Sequence, residues 1–190
     1  MDGESCGLFQ VRQTLGAVSK GAAMVFPGEA FEASQTLDCL VTERCTALYG
    51  VPTMFIAMLE KLEGNPRDLS NLRTGVMAGA PCPVEVMQLV NAEMNMTEVT
   101  ICYGMTETSP VSFQSFVDDP TDKRCQTVGR VHPHIETKII DQNGQIAPVG
   151  TQGELCVRGY SVMKGYWEYP DKAAESIVDG WMYTGDLAVC

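Results

Sequence analysis

The sequence predicts an α/β fold, in which βαβ crossover units form a mostly parallel sheet over residues 1–110 and a smaller antiparallel β subdomain follows over 111–190. Three observations carry this expectation. Helical and strand-like patterns alternate through the first part of the chain. Two strand-like runs end in glycine turns, "AGAP" at 78–81 and "YGMTE" at 103–107. Beyond Pro110 the apolar period falls to two.

Taken in order, residues 5–20 suit a helix that leads to a strand at Ala22–Phe26, "AAMVF", which Pro27-Gly28 ends. Over 31–44, Leu37, Leu40 and Val41 share one helical face, and the short apolar run Thr46–Val51 reads as the next strand. Pro52 suits a first helical position, where its missing N–H costs nothing. Behind it Phe55, Met58, Leu59 and Leu62 form an i, i+3, i+4, i+7 stripe. "LRTGVMAGA", Leu72–Ala80, is a strand running into a tight glycine turn. Pro83 opens a helix with Val84, Met87, Val90 and Met94 along one side, and "EVTICYG" is the strand after it. In the second part His134–Asp141 alternates at period two, "QNGQ" is a turn, and Gly153–Gly159 is a second extended run, as in a hairpin. "YPDKAAESIVDG" reads as a short capped helix.

Composition narrows the function. With 45% apolar and 19% charged residues the chain is globular rather than disordered. A net charge of -11 argues against a general nucleic-acid or anionic-membrane binder, since phosphate backbones need a basic footprint. A phosphorylated ligand would have to be held by local devices such as backbone amides, hydroxyls, a few basic side chains or a metal ion. The 8 cysteines are scattered without a CxxC pair, which fits reduced thiols in a cytosolic or organellar setting. No run approaches the ~18 apolar residues of a membrane span.

The two glycine turns lie at the carboxyl ends of neighbouring predicted strands, the edge at which open α/β sheets bind ligands. Gly79 and Gly104 permit close approach of backbone or ligand. Tyr103 offers a ring to a planar base, a contact worth roughly 1–3 kcal/mol. Thr106 can donate to a phosphate or carboxylate oxygen. Glu107 about 4 Å from a phosphate charge would be repelled by roughly 4 kcal/mol at an effective dielectric of 20, so it belongs there only with a cation such as Mg²⁺ between them. Thr106 and Glu107 equally suit a plain helix start, the threonine as cap and the acid in the first turn. Asp186, after Gly185 in "YTGDL", can accept hydrogen bonds from both hydroxyls of a ribose, although TGD is also a common turn.

The order AGAP, YGMTETSP, GELCVRGYSVMKGYW, YTGDL strongly resembles the adenylate-forming (AMP-binding) superfamily. From about Gly16 onwards the chain is most similar to medium-chain fatty acyl-CoA synthetases of the mitochondrial family member 2 type. The resemblance implies ATP-dependent activation of a medium-chain fatty acid through acyl-AMP to acyl-CoA, with ATP, Mg²⁺ and CoA as cofactor and co-substrates. It implies that Gly79, Ala80 and Pro81 border the adenine and acyl site, that Tyr103 stacks on adenine and that Gly104 lines the acyl tunnel. Thr106 then touches phosphate, Glu107 binds Mg²⁺ and Asp186 holds the ribose. A mitochondrial location comes from the resemblance alone, with the cytoplasm as the alternative.

Two elements of the family pattern are missing from the sequence: a phosphate loop of the "TSGTTGxPK" kind, and the C-terminal domain with its lysine. The expectation is therefore a fragment or shortened isoform with little turnover by itself. The alternative function is a catalytically silent module that binds acyl-adenylate or pairs with a full-length relative. Other readings are weaker. Ser109 and Ser161 lack a G-x-S-x-G elbow, there is no G-x-G-x-x-G after a strand, and His132, His134 and Cys125 make three metal ligands without a fourth. The 11 methionines read as adaptable core filler, and Met54, Phe55 and Met58 suit either the core or an acyl tunnel.

Overall fold

A computed structural model describes residues 14–190. They form two compact units: one runs to Tyr103 and resumes over Phe113–Arg130, and the other comprises Gly104–Ser112 and Val131–Cys190.

The first unit has the predicted alternation. Helix α1 (Ala33–Thr42) begins at Glu32, whose carboxylate accepts the N–H groups of Ser34 and Gln35 and so caps the helix. Strand β1 (Ala47–Gly50), helix α2 (Pro52–Gly64), strand β2 (Thr74–Ala78), helix α3 (Val84–Glu93) and strand β3 (Glu98–Tyr103) follow. The three strands pair in parallel, with Gly50 opposite Met77 and Ala78 opposite Cys102. The stripe on α2 is fully used, because Phe55, Met58, Leu59 and Leu62 are all buried. Together with Leu37, Met77, Met87, Val90 and Val99 they make one core, each side chain contributing about 1.5–3 kcal/mol of transfer free energy. Phe55 and Met58 are thus core residues, and Met54 packs against them.

Antiparallel to the end of β3 lies β4 (Phe113–Gln114), followed by α4 (Thr121–Gln126) and β5 (Arg130–Val131), giving the sheet order β1-β2-β3-β4-β5. Because β4 has only two residues, side chains complete the far edge of β3. The Ser115 hydroxyl accepts the Ile101 N–H at 2.8 Å, while the buried Arg124 guanidinium donates to the carbonyls of Val99 and Thr97 at 2.5 and 3.3 Å. Burial obliges these backbone groups to find partners.

Before α4, Asp119 accepts the Phe116 N–H at 3.0 Å and pairs with Lys123 at 3.1 Å and Arg130 at 3.3 Å. That backbone donor, followed by the Lys123 hydrogen bond and the two cations, holds its carboxyl below the usual range. A depressed folded-state pKa contributes stability above the unfolded value, about 3.9, which disappears as pH falls through the folded value. Wild type should therefore exceed Asp119→Asn in urea midpoint at neutral pH, and the gap should close in strong acid. A gap that stays constant with pH would contradict this.

The second unit holds the antiparallel sheet that the fold class predicts, over Gly104–Ser112 and Val131–Cys190 rather than the expected 111–190. Strands β6 (Ile135–Ile140), β7 (Gly153–Gly159), β8 (Ile177–Val178) and β9 (Trp181–Ala188) run in the order β6-β7-β9-β8, with helix α5 (Pro170–Ser176) preceding β8. One face carries a cross-strand row: Glu136 pairs with Arg158, and Arg158 and Lys138 each sit 4.4 Å from the centre of the Trp181 ring.

One predicted strand does not form. Residues 14–19 are helical, in keeping with part of the expected 5–20 helix, whose residues 5–13 lie outside the described part. Ala22–Phe26, by contrast, has no strand assignment, and Met24, Val25 and Phe26 are exposed. An apolar run becomes a strand only where a neighbour supplies the ladder, and no partner lies beside it among the described residues. Nor is any group of three His, Cys, Asp or Glu side chains arranged to hold a metal among the described residues, so Cys125, His132 and His134 do not form a centre there. The seven described cysteines are thiols, and no described helix is long and apolar enough to cross a membrane.

Candidate functional site

Within the first unit, the parallel register brings two predicted site segments level. Ala78 lies opposite Cys102, so the exposed Gly79-Ala80-Pro81 loop leaves β2 where Tyr103 ends β3. The chain turns at Gly79 with φ +86, a left-handed conformation that glycine adopts without strain. Tyr103 is half-buried and meets Phe113 of β4 edge-on, with ring centres 6.1 Å apart. After Pro81, the thiol of Cys82 is pushed up to about 12 by burial, with Cys125 beside it, so it is no nucleophile at neutral pH.

Gly104, Thr106, Glu107 and Asp186 lie in the second unit. Gly104 is glycine for a steric reason: a Cβ there would sit 1.6 Å from the Pro110 carbonyl oxygen. The segment between them is a single 3₁₀ turn, Thr106–Thr108. Its closing hydroxyl is that of the buried Thr108, which accepts the Met105 N–H at 3.2 Å, while Thr106 is exposed. Met105 occupies the N-cap position that the sequence offered to Thr106, and Thr108 supplies the reciprocal bond of a capping box.

Glu107 is gripped from a distance in sequence. Its backbone carbonyl accepts the Met163 N–H at 2.8 Å, and its Oε1 accepts the Tyr166 hydroxyl at 2.8 Å. Burial, then the hydrogen bond to this carboxylate and its charge, raise the Tyr166 pKa, so the phenol remains a donor at neutral pH. Lys172 of α5 lies 4.7 Å from the centre of the Tyr166 ring. The run "GYW" stands within the family motif, but nothing in the sequence singles out Tyr166. The contact spans 59 residues and has no local periodic signature.

Asp186 stands on a bulge. Tyr183 pairs with Cys156 and Leu187 with Glu154, so Thr184, Gly185 and Asp186 together oppose the single residue Leu155. The Thr184 hydroxyl donates to the Leu155 carbonyl at 2.7 Å and accepts the Asp186 N–H at 3.1 Å, while the Glu154 carboxylate accepts the Gly185 N–H at 3.1 Å. Gly185, the middle residue of the three, adopts φ +74, a left-handed conformation that glycine takes without strain. These bonds replace the interrupted ladder and leave Asp186 exposed on the bulged part of β9.

A mostly parallel sheet built from βαβ units together with a separate antiparallel sheet defines a class, and residues 7–167 match the family described as AMP-binding enzyme. The chain belongs to that family. It is 47% identical over 180 residues to the acyl-CoA ligase sidI of Aspergillus fumigatus, covering 92% of this chain and 30% of that protein. To the mitochondrial medium-chain acyl-CoA ligase ACSF2 of Bos taurus it is 40% identical over 184 residues, covering 96% of this chain and 30% of that one. It thus spans about a third of the length of these relatives. Among solved structures, O-succinylbenzoate coenzyme A synthetase (MenE) from Bacillus subtilis, in complex with ATP and a magnesium ion, superposes with a TM-score of 0.79. That match is 26% identical and covers 95% of this chain and 36% of that one.

Proposed function

We propose that the chain supplies the adenylate- and acyl-facing part of an ATP-dependent, AMP-forming acyl-CoA ligase that acts on medium-chain fatty acids. The observation that carries this reading is the β2–β3 register, which sets the Gly79-Ala80-Pro81 loop beside Tyr103 at one carboxyl edge. A planar base on the Tyr103 ring would have the bare backbone of Gly79 next to it. Adenine is such a base, and the ACSF2 and sidI relatives are named as acyl-CoA ligases.

The remaining assignments follow from side-chain chemistry and, for Gly104, from the family resemblance. Thr106 donates its exposed hydroxyl to a phosphate oxygen, Asp186 accepts the ribose hydroxyls, and the glycine backbone at Gly104 borders the acyl chain. Glu107 suits Mg²⁺: it is a hard oxygen donor with Oε1 engaged by Tyr166, and such an ion would be held by one or two carboxylates together with substrate phosphates. When bound, the ion neutralises phosphate charge. In the reaction, a fatty-acid carboxylate oxygen attacks the α-phosphorus as the bond to pyrophosphate breaks. The CoA thiol then displaces AMP from the acyl carbon. The chain's own groups position base, ribose and carboxylate for these displacements. Mitochondrial residence belongs to the same proposal, through the ACSF2 relative.

A pyrophosphate-exchange assay with octanoate tests the reading. Exchange that depends on Glu107 supports a ligase. Saturable binding of a nonhydrolysable acyl-AMP analogue without exchange supports instead a silent module, able to pair with a full-length relative. Absence of both overturns the nucleotide assignment.

A further inference from the structure

We propose that Tyr166 is a positioning residue for Glu107, its hydroxyl fixing the carboxylate so that the second oxygen is available to a divalent cation shared with nucleotide phosphates. This rests on the cation role given to Glu107 above. A carboxylate on a three-residue 3₁₀ turn has free side-chain torsions and four lone-pair sites, so by itself it selects no orientation. The loop before α5 removes that freedom at two points. The Met163 N–H holds the Glu107 backbone, and the Tyr166 hydroxyl holds Oε1, both at 2.8 Å.

Among the described residues, Tyr166 is the side-chain partner that Glu107 has, which leaves Oε2 for a ligand. The donor is itself braced. Tyr166 is half-buried, and the Lys172 ammonium lies 4.7 Å from its ring centre, so the phenol is held at both face and tip. Carboxylates that ligate metals are typically hydrogen-bonded by such outer partners, whose loss costs about 10- to 100-fold in metal affinity. Phenylalanine keeps the ring and its cation contact and deletes only the donor.

The test uses the 190-residue chain, with Mn²⁺ as probe ion. Mn²⁺ is titrated in the presence of ATP and followed by electron paramagnetic resonance. Tyr166→Phe should weaken Mn²⁺ binding about 10-fold and leave ATP binding in a chelator unchanged. Glu107→Gln should weaken Mn²⁺ at least as much, and the double variant should be no weaker than Glu107→Gln, since the tyrosine acts through the carboxylate. In ¹³C-tyrosine spectra without metal, the Tyr166 Cζ resonance should move in Glu107→Gln, a readout that needs neither metal nor the phenylalanine variant.

Wild-type Mn²⁺ affinity in Tyr166→Phe, additive losses in the double variant, or an unmoved Cζ resonance would each overturn the inference while leaving Glu107 as a ligand. Equal Mn²⁺ binding by wild type and Glu107→Gln would overturn the metal assignment itself, and the inference with it.

Discussion

Gly104→Ala should unfold at a much lower urea concentration than wild type, by an amount equivalent to about 4 kcal/mol, in the exceptional range for a single substitution. The new methyl would lie 1.6 Å from the Pro110 carbonyl oxygen, 2.6 Å from its carbon and 2.8 Å from Val111 Cα. All three are backbone atoms, so no rotamer change relieves the clash. Ordinary overpacking costs about 1–3 kcal/mol because neighbouring side chains give way. Here the returning chain must move, and with it the 3₁₀ turn that carries Thr106 and Glu107. Gly64→Ala is the control. Its methyl meets nothing within 4 Å at the end of α2. It should be neutral or stabilising by up to about 1 kcal/mol. A Gly104→Ala midpoint equal to that of wild type would refute the steric reading.

Arg124→Met should cost about 3 kcal/mol in the same measurement. The side chain is 5% exposed, and its charged donors serve the Val99 and Thr97 carbonyls and, at 3.3 Å, the Thr121 hydroxyl. Methionine fills similar volume with no donor, so the loss comes from buried acceptors left unmatched on β3 rather than from a void. Arg124→Lys should fall between the two: a single nitrogen, Nη1, serves both carbonyls, which an ammonium can imitate, but lysine loses the second nitrogen's bond to the Thr121 hydroxyl. If methionine proves neutral, water reaches this edge and the carbonyls are satisfied without the guanidinium.

Arg124 also shows where sequence reading runs out. It lies in the polar run "TDKRCQ", which looks like solvated surface, yet it is buried because β4 is too short to cover β3. Nothing within six residues encodes that shortage. The helical stripe Phe55, Met58, Leu59, Leu62 was legible for the opposite reason: its period of 3.6 is a local property, and the core merely receives it. Gly153–Gly159 was read to the residue as β7, since alternation bounded by glycines is local too. Ala22–Phe26 looked equally convincing, but a ladder depends on a second segment that no single run can announce. At the candidate site the split is the same. Residue types named Gly79, Tyr103, Glu107 and Asp186, whereas the grip of Tyr166 on Glu107 and the Thr184 scaffold under Asp186 arise from contacts 59 and 29 residues apart.

The interruption in β9 has an arithmetic worth following. From Tyr183 to Leu187 the strand advances four positions while β7 moves two, from Cys156 to Glu154, so the surplus is two residues. An even surplus preserves parity: Met182 before it and Ala188 after it still point the same way. An odd one would have exchanged inside for outside along the remainder of the strand. The excursion at Asp186 is thereby insulated from the sheet behind it, and its tip can change in sequence without rewriting the alternation on which the subdomain's packing depends.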